Sequence, residues 1–400
     1  MSPTSKIPPA LDVDALLDDP RTKIIVCCGS GGVGKTTTAA ALGVRAAERG
    51  RDVVVLTVDP ARRLAQSMGL SELDNNPRKI DIDGDGELHA MMLDMKRTFD
   101  EIVEAHADPD RAKQILANPF YQSLSSSLSG TQEYMAMEKL GQLHRSGAWD
   151  LIVVDTPPSR NALDFLDAPE RMGRFLDGRF MKILAAPAKT GGRFGVKVIS
   201  AGFGMFTGVI NKVIGVQLLR DVQTFVAAFD TMFGGFRERA EKTFRLLQTP
   251  GTAFLVVAAP EPDALREASY FVERLAEERM PLAGLVVNRV HESAADTLSR
   301  GGTTPHTPRN DSLSAARSQA AAETLEERGE HTLTAALLRL HTDRMQLAAR
   351  EHRLRDSFAS AHPTVPVTAV PAQAEDVHDL DGLRQVGEDL AAPTSPPTAA

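Results

Sequence analysis

Gly29, Gly34, Lys35 and Thr36 in "GSGGVGKTT" keep the spacing G-x-x-x-x-G-K-[ST], an order of residue types suited to gripping a polyphosphate. Glycines at 29, 31, 32 and 34 let backbone N–H groups curl around phosphoryl oxygens, where a β-carbon would intrude. Lys35 brings an ammonium to the β and γ oxygens, for binding and for catalysis, and Thr36 offers a hydroxyl to Mg²⁺. With Ser30, Val33 and Thr37, the run from Gly29 to Thr37 is the candidate nucleotide-binding segment.

Hydrolysis needs acids as well as a phosphate cradle. Asp155 ends "LIVVD", where a carboxylate can hold Mg²⁺ directly or through water. Asp59 ends "VVVLTVD" and can orient or deprotonate an attacking water. Either aspartate could instead be a helix N-cap or a turn residue. Two acids at the carboxyl ends of buried strands beside such a loop favour the chemical reading.

These residues must be carried by a sheet. "KIIVCC" (23–28) reads as a strand buried on both faces, followed by the glycine loop and an Ala-rich helix that Gly50 closes. "DVVVLTVD" (52–59) follows, so strand, helix and strand form a right-handed βαβ unit. Further strands are expected at 88–94, 149–155, 252–259, 282–288 and 364–370. The fold class is therefore α/β, a doubly wound, mainly parallel sheet of about seven strands with an inserted helical subdomain. Residues 1–21 read as a leader, 22–390 as one phosphate-loop domain with helical insertions at about 95–148 and 160–250, and 391–400 as a disordered tail. A third helical stretch is expected at about 313–358.

The chain has 400 residues, 42% hydrophobic and 24% charged, with a net charge of -8. That charge argues against a general nucleic-acid binder, whose affinity depends on many cations. The start "MSPTSKIPPALDVD" lacks a basic stretch followed by an apolar core, so no signal peptide is expected, and no apolar run is long enough to cross a bilayer. The expected location is the cytoplasm, with or without peripheral contact at a membrane. Cys27 and Cys28 are the only cysteines, and as neighbours on one strand they point to opposite faces, so they read as core thiols.

"GGVGKTT", "TVDPA" at 57–61, "VVDTPPS" at 153–159 and "VVNRV" at 286–290 together resemble the ArsA-like ATPases. These are P-loop ATPases of the deviant Walker A, SIMIBI class; they include arsenite-pump ATPases and the eukaryotic ATPases that deliver tail-anchored proteins to membranes. The resemblance spans about 22–390 and is most specific over its first 50 to 70 residues and at the strand ends. It implies an ATPase using Mg²⁺ with ATP, in which the segments beginning at Asp59 and Asp155 are nucleotide switches. By that likeness Asp59 positions the water, Thr36 and Asp155 manage Mg²⁺, Asn288 recognises adenine, and Pro371 and Ala372 pack on the base. It also implies a dimer.

Three departures qualify that likeness. The family carries a lysine just before the glycine pair, which reaches the partner's nucleotide; here the position is Ser30. Either another cation such as Arg62 or Arg63 substitutes, or a paralogue with its own lysine completes a heterodimer in place of a homodimer. No cysteine follows Cys28, so no thiolate site for arsenite is expected. "VVNRVHESAADTL" lacks a Cys-x-x-Cys, so no zinc site is expected either.

Residues 171–212 hold eight Lys or Arg against Asp177 alone, interleaved with Phe, Met, Ile and Val. This is either an amphipathic layer with solvated charges or an adaptable surface for an apolar helical client or a membrane face. Met181, Phe194, Phe203, Met205 and Phe206 are its candidate client contacts. Two functions remain open on these grounds: an ATPase coupling nucleotide state to a helical client- or partner-binding layer, and a ParA/MinD-like scaffold or membrane-surface switch with hydrolysis as a timer. A small-molecule kinase or ligase would need a polar acceptor pocket, and the apolar, Met-rich helices argue against one.

Overall fold

Ile24–Cys28 (β1) are buried at every position, as a strand covered by helices on both faces requires. The computed structural model describes residues 9–59, 63–119, 121–122, 131–157, 238–291, 314–329 and 331–392. Within them β1 is followed by α2 (Lys35–Glu48), β2 (Val53–Thr57), α3 (Arg63–Ser67), β3 (Arg78–Ile80) and β4 (Leu88–Met92). Helices α4 (Met95–His106), α5 (Pro109–Ala117) and α6 (Thr131–Ser146) precede β5 (Leu151–Asp155). Then come β6 (Thr252–Ala258), α7 (Pro262–Glu277), β7 (Leu282–Val290), α8 (Ala315–Arg328), α9 (Thr332–Ala361), β8 (Val367–Pro371) and α10 (Leu380–Ala391). A short α1 (Val13–Asp18) stands before β1.

One sheet runs β3-β4-β2-β5-β1-β6-β7-β8. Every neighbouring pair is parallel except β3 with β4. The seven expected strands are all present, and β3 is an eighth. It escapes an apolar pattern because Arg78 and Lys79 are exposed, and the Lys79–Glu87 ion pair caps this edge with charge. β1, α2 and β2 form the expected βαβ unit within one sheet, but not as neighbouring strands. β5 lies between them, paired with both, so the crossover through α2 skips a strand. The chain thus builds outward from β1 to one side, returns, and builds to the other, which makes the β1 tip a topological switch point.

Within 95–148 the helical periodicity of the sequence breaks at "DPD" (108–110) and "NPF" (118–120), and helices end at both points. Asp108 caps α5, accepting from the Arg111 N–H, with Pro109 in the first turn, and α5 stops at Ala117. Asp94 caps α4 in the same way. The third helical stretch is a pair, α8 and α9, divided by Gly329 at φ 65°. The leader is partly structural: Val13 and Leu17 of α1 are buried, and Asp14 accepts from Arg45 of α2 at 2.6 and 2.8 Å. Of the insertion at 160–250 only 238–250 is described, and 238–247 is helical. Met181, Phe194, Phe203, Met205, Phe206 and Arg62 lie outside the described residues. The exposed large hydrophobic side chains among the described residues are Tyr270 and four leucines of α9: Leu333, Leu337, Leu340 and Leu347.

Candidate active site

The tip of β1 turns into the loop with no room for side chains. Gly29 takes φ 149°, and a β-carbon there would stand 2.1 Å from the Val257 carbonyl oxygen of β6. Gly32 (φ 79°) and Gly34 (φ 96°) also occupy left-handed backbone, and Gly34 is the N-cap of α2. The first N–H groups of α2 have no intrahelical acceptor and, with the helix dipole, favour an anion at this end. Lys35 folds back across the loop, and its Nζ donates to the Ser30 carbonyl at 2.8 Å. Burial holds its ammonium below the ordinary lysine range, partly opposed by the Asp155 carboxylate. An anion placed in the loop would relieve that desolvation.

Beside the loop one carboxylate gathers three elements. Asp155 Oδ2 accepts from Thr36 Oγ1 of α2 at 2.7 Å and from Thr57 Oγ1 of β2 at 2.8 Å. Its Oδ1 is buried and has no hydrogen-bond partner among the described residues. Burial pushes the Asp155 carboxyl up to about 6, although the two threonine hydroxyls and Lys35 pull it down. The orphaned oxygen and the adjoining Thr36 hydroxyl form a hard-oxygen pair of the kind Mg²⁺ takes, so the residues fit that ion. Thr156, the next residue, donates its hydroxyl to the Cys27 carbonyl at 2.8 Å and ties the β5 tip to β1.

Asp59 follows β2 two residues beyond Thr57, and its N–H donates to Thr57 Oγ1 at 3.2 Å. A single hydrogen-bonded run therefore links Thr36, Asp155, Thr57 and Asp59. Spacing alone passes over Thr57. Its signal was a lone hydroxyl closing the otherwise apolar "VVVLT", buried where a valine would serve packing equally well.

On the other flank, Asn288 of β7 is buried and donates from Nδ2 to the Val33 carbonyl at 2.9 Å. A side chain at Gly34 would meet this amide at 2.1 Å. Asn288 thus braces the loop backbone directly. Pro371 pairs with Val290 at the β7 end, and the Ala372 N–H donates to the Val290 carbonyl at 2.9 Å. This puts both residues at the same strand tips as Asn288. Arg63 opens α3 and is exposed. A cleft of about 470 Å³ runs between residues 30–33 and the start of α7, with Glu261, Asp263, Glu267 and Arg289 in its wall.

With this geometry in hand, a family described as "Anion-transporting ATPase" matches residues 22–300. The chain is similar to ATPase GET3 of Podospora anserina, 25% identical over 280 residues, which are 70% of this chain and 76% of the relative. It is equally similar to ATPase get3 of Schizosaccharomyces pombe, 25% over 278 residues, again 70% and 76%. ATPase GET3 of Malassezia globosa is 31% identical over 169 residues, 42% of this chain. That match spans 48% of the relative, about half its length.

Proposed function

The chain belongs to the anion-transporting ATPase family, and from that premise we propose that it binds Mg²⁺ with ATP at residues 29–37 and couples hydrolysis to a helical client- or partner-binding layer. The observation that carries this reading is the run from Thr36 through Asp155 and Thr57 to Asp59, which joins the phosphate loop to both acidic strand tips.

In this reading Lys35 exchanges the Ser30 carbonyl for β and γ oxygens of the triphosphate. Thr36 and Asp155 hold the metal, which when bound neutralises charge on the phosphoryl oxygens. Asp59 holds a water in line with the γ phosphorus and receives or directs its proton. The water oxygen bonds to phosphorus as the bond to the β-bridging oxygen breaks, giving ADP and inorganic phosphate. Asn288 meets the adenine while keeping its amide on the loop, and Pro371 and Ala372 pack on the base.

Ser30 cannot supply the positive charge that a lysine would bring to a partner's nucleotide. Among the described residues lining the cleft beside Ser30, Arg289 is the one cation. A dimer, of two copies or with a paralogue, is the arrangement in which that charge matters. The client is an apolar helix or a membrane face met by the 171–212 segment, with Met181, Phe194, Phe203, Met205 and Phe206 as contacts; no helix among the described residues is long and apolar enough to cross a membrane. Location in the cytoplasm follows from this assignment.

Steady-state hydrolysis and nucleotide binding test the reading. Lys35→Ala is expected to abolish binding, and Asp59→Asn to keep binding while lowering kcat at least tenfold. Unchanged turnover in Asp59→Asn rejects the role given to that carboxylate.

A further inference from the structure

Val58, the residue between Thr57 and Asp59, is held from two directions. Its N–H donates to the Asp155 carbonyl at 3.0 Å, and its own carbonyl accepts from Gln132 Nε2 at 2.6 Å. Val58 lies past the last paired residue of β2, so the Gln132 amide supplies a donor where the strand ladder has stopped. Gln132 stands at the start of α6, in the helical excursion 74 residues further along the chain.

The same helix is tied to the segment that closes the second excursion. Glu138, buried in α6, accepts from Arg239 Nε at 3.1 and 3.0 Å, and Gly141 lies against Thr243. α6 is therefore one rod, hydrogen-bonded at its start to the first switch and ion-paired further along to 238–247. Nothing in the packing of an apolar helix face calls for a donor aimed at the peptide before Asp59.

We infer that Gln132 is a positioning residue for hydrolysis: its amide fixes the Val58–Asp59 peptide, and through it the place where the Asp59 carboxylate stands. The inference rests on the reading of Asp59 given above. It also supplies a physical link by which a displacement of the helical layer reaches the hydrolytic water. Glutamine suits the task because it is long enough to reach the Val58 carbonyl and carries a donor at its end.

The test is the ATPase activity of the full chain in Gln132→Met, Gln132→Lys and Asp59→Asn, with thermal unfolding and ATP affinity measured on each. Met, Lys and Gln have similar helix propensities, so α6 itself is spared. Gln132→Met is expected to lower kcat roughly two- to tenfold, the worth of one neutral hydrogen bond, with KM for ATP and Tm unchanged. Gln132→Lys, which restores a donor at that length, recovers most of the loss. In the Asp59→Asn background Gln132→Met costs nothing further, because the two residues act as one unit. Full kcat in Gln132→Met while Asp59→Asn is impaired overturns the inference and leaves Asp59 in its role. Full kcat in Asp59→Asn removes the reading beneath it. A loss that lysine does not recover, or that follows a matching fall in Tm, reduces the contact to stability and overturns it as well.

Discussion

Asp155 combines two demands that pull against each other. A carboxylate that is to serve a metal must be ionised, yet full burial favours its protonated form and lifts its carboxyl to about 6. In the metal-free protein the stabilisation from this group is complete below the unfolded value of 3.8 and is lost as the pH rises through about 6. Above that, the buried charge costs on the order of 3 kcal/mol. Asp155→Asn is therefore expected to raise the Tm of nucleotide-free protein at pH 7.5, with the gain vanishing below pH 4, and to abolish Mg²⁺-dependent stabilisation. In the unaltered chain, Mg²⁺ affinity falls as the pH drops through about 6, a trend that calorimetry at several pH values would read. The neighbouring hydroxyl is separable: Thr57→Val keeps the packing but removes a donor to Asp155 and the acceptor for the Asp59 N–H. Its expected signature is a kcat lowered several-fold at constant KM for ATP, measured by steady-state kinetics.

Among the elements, the phosphate loop is as much a matter of strand spacing as of residue type. Gly29→Ala would set a β-carbon against the Val257 carbonyl in a backbone conformation that L-residues avoid. Unfolding in urea is expected to show a loss of about 1–3 kcal/mol, together with failure to bind ATP. The loop, β1, β2, β5, β6 and β7 were legible because residues buried on both faces must be apolar and because glycines, lysine and threonine keep a mechanical spacing. β3 was not, since two of its three residues face water. Nor could the chain's local pattern say that β5, some hundred residues on, slips between β1 and β2. Side-chain hydrogen bonds across elements, such as Thr57 to Asp155, Asn288 to Val33 and Gln132 to Val58, are invisible to periodicity because each depends on which strand tips the topology makes neighbours.

For the whole molecule, Ser30 stands where the resemblance implies a lysine that reaches a partner's nucleotide. Ser30→Lys is expected to raise ATP turnover about tenfold in a way that depends on protein concentration, because the new ammonium acts across a contact between copies. Turnover that does not change with either lysine or concentration would point instead to a different partner chain as the source of the charge. The order of the sheet carries a broader consequence. β5 and β2 on one side of β1 bring Asp155, Thr57 and Asp59, while β6, β7 and β8 on the other bring Asn288 and Pro371. The candidate hydrolytic residues and the candidate base-packing residues thus descend from opposite wings of the sheet, joined through β1 and the loop that follows it. A tether that crosses is the Asn288 amide on the Val33 carbonyl, so any change at the β7 tip is felt in the loop that both wings share.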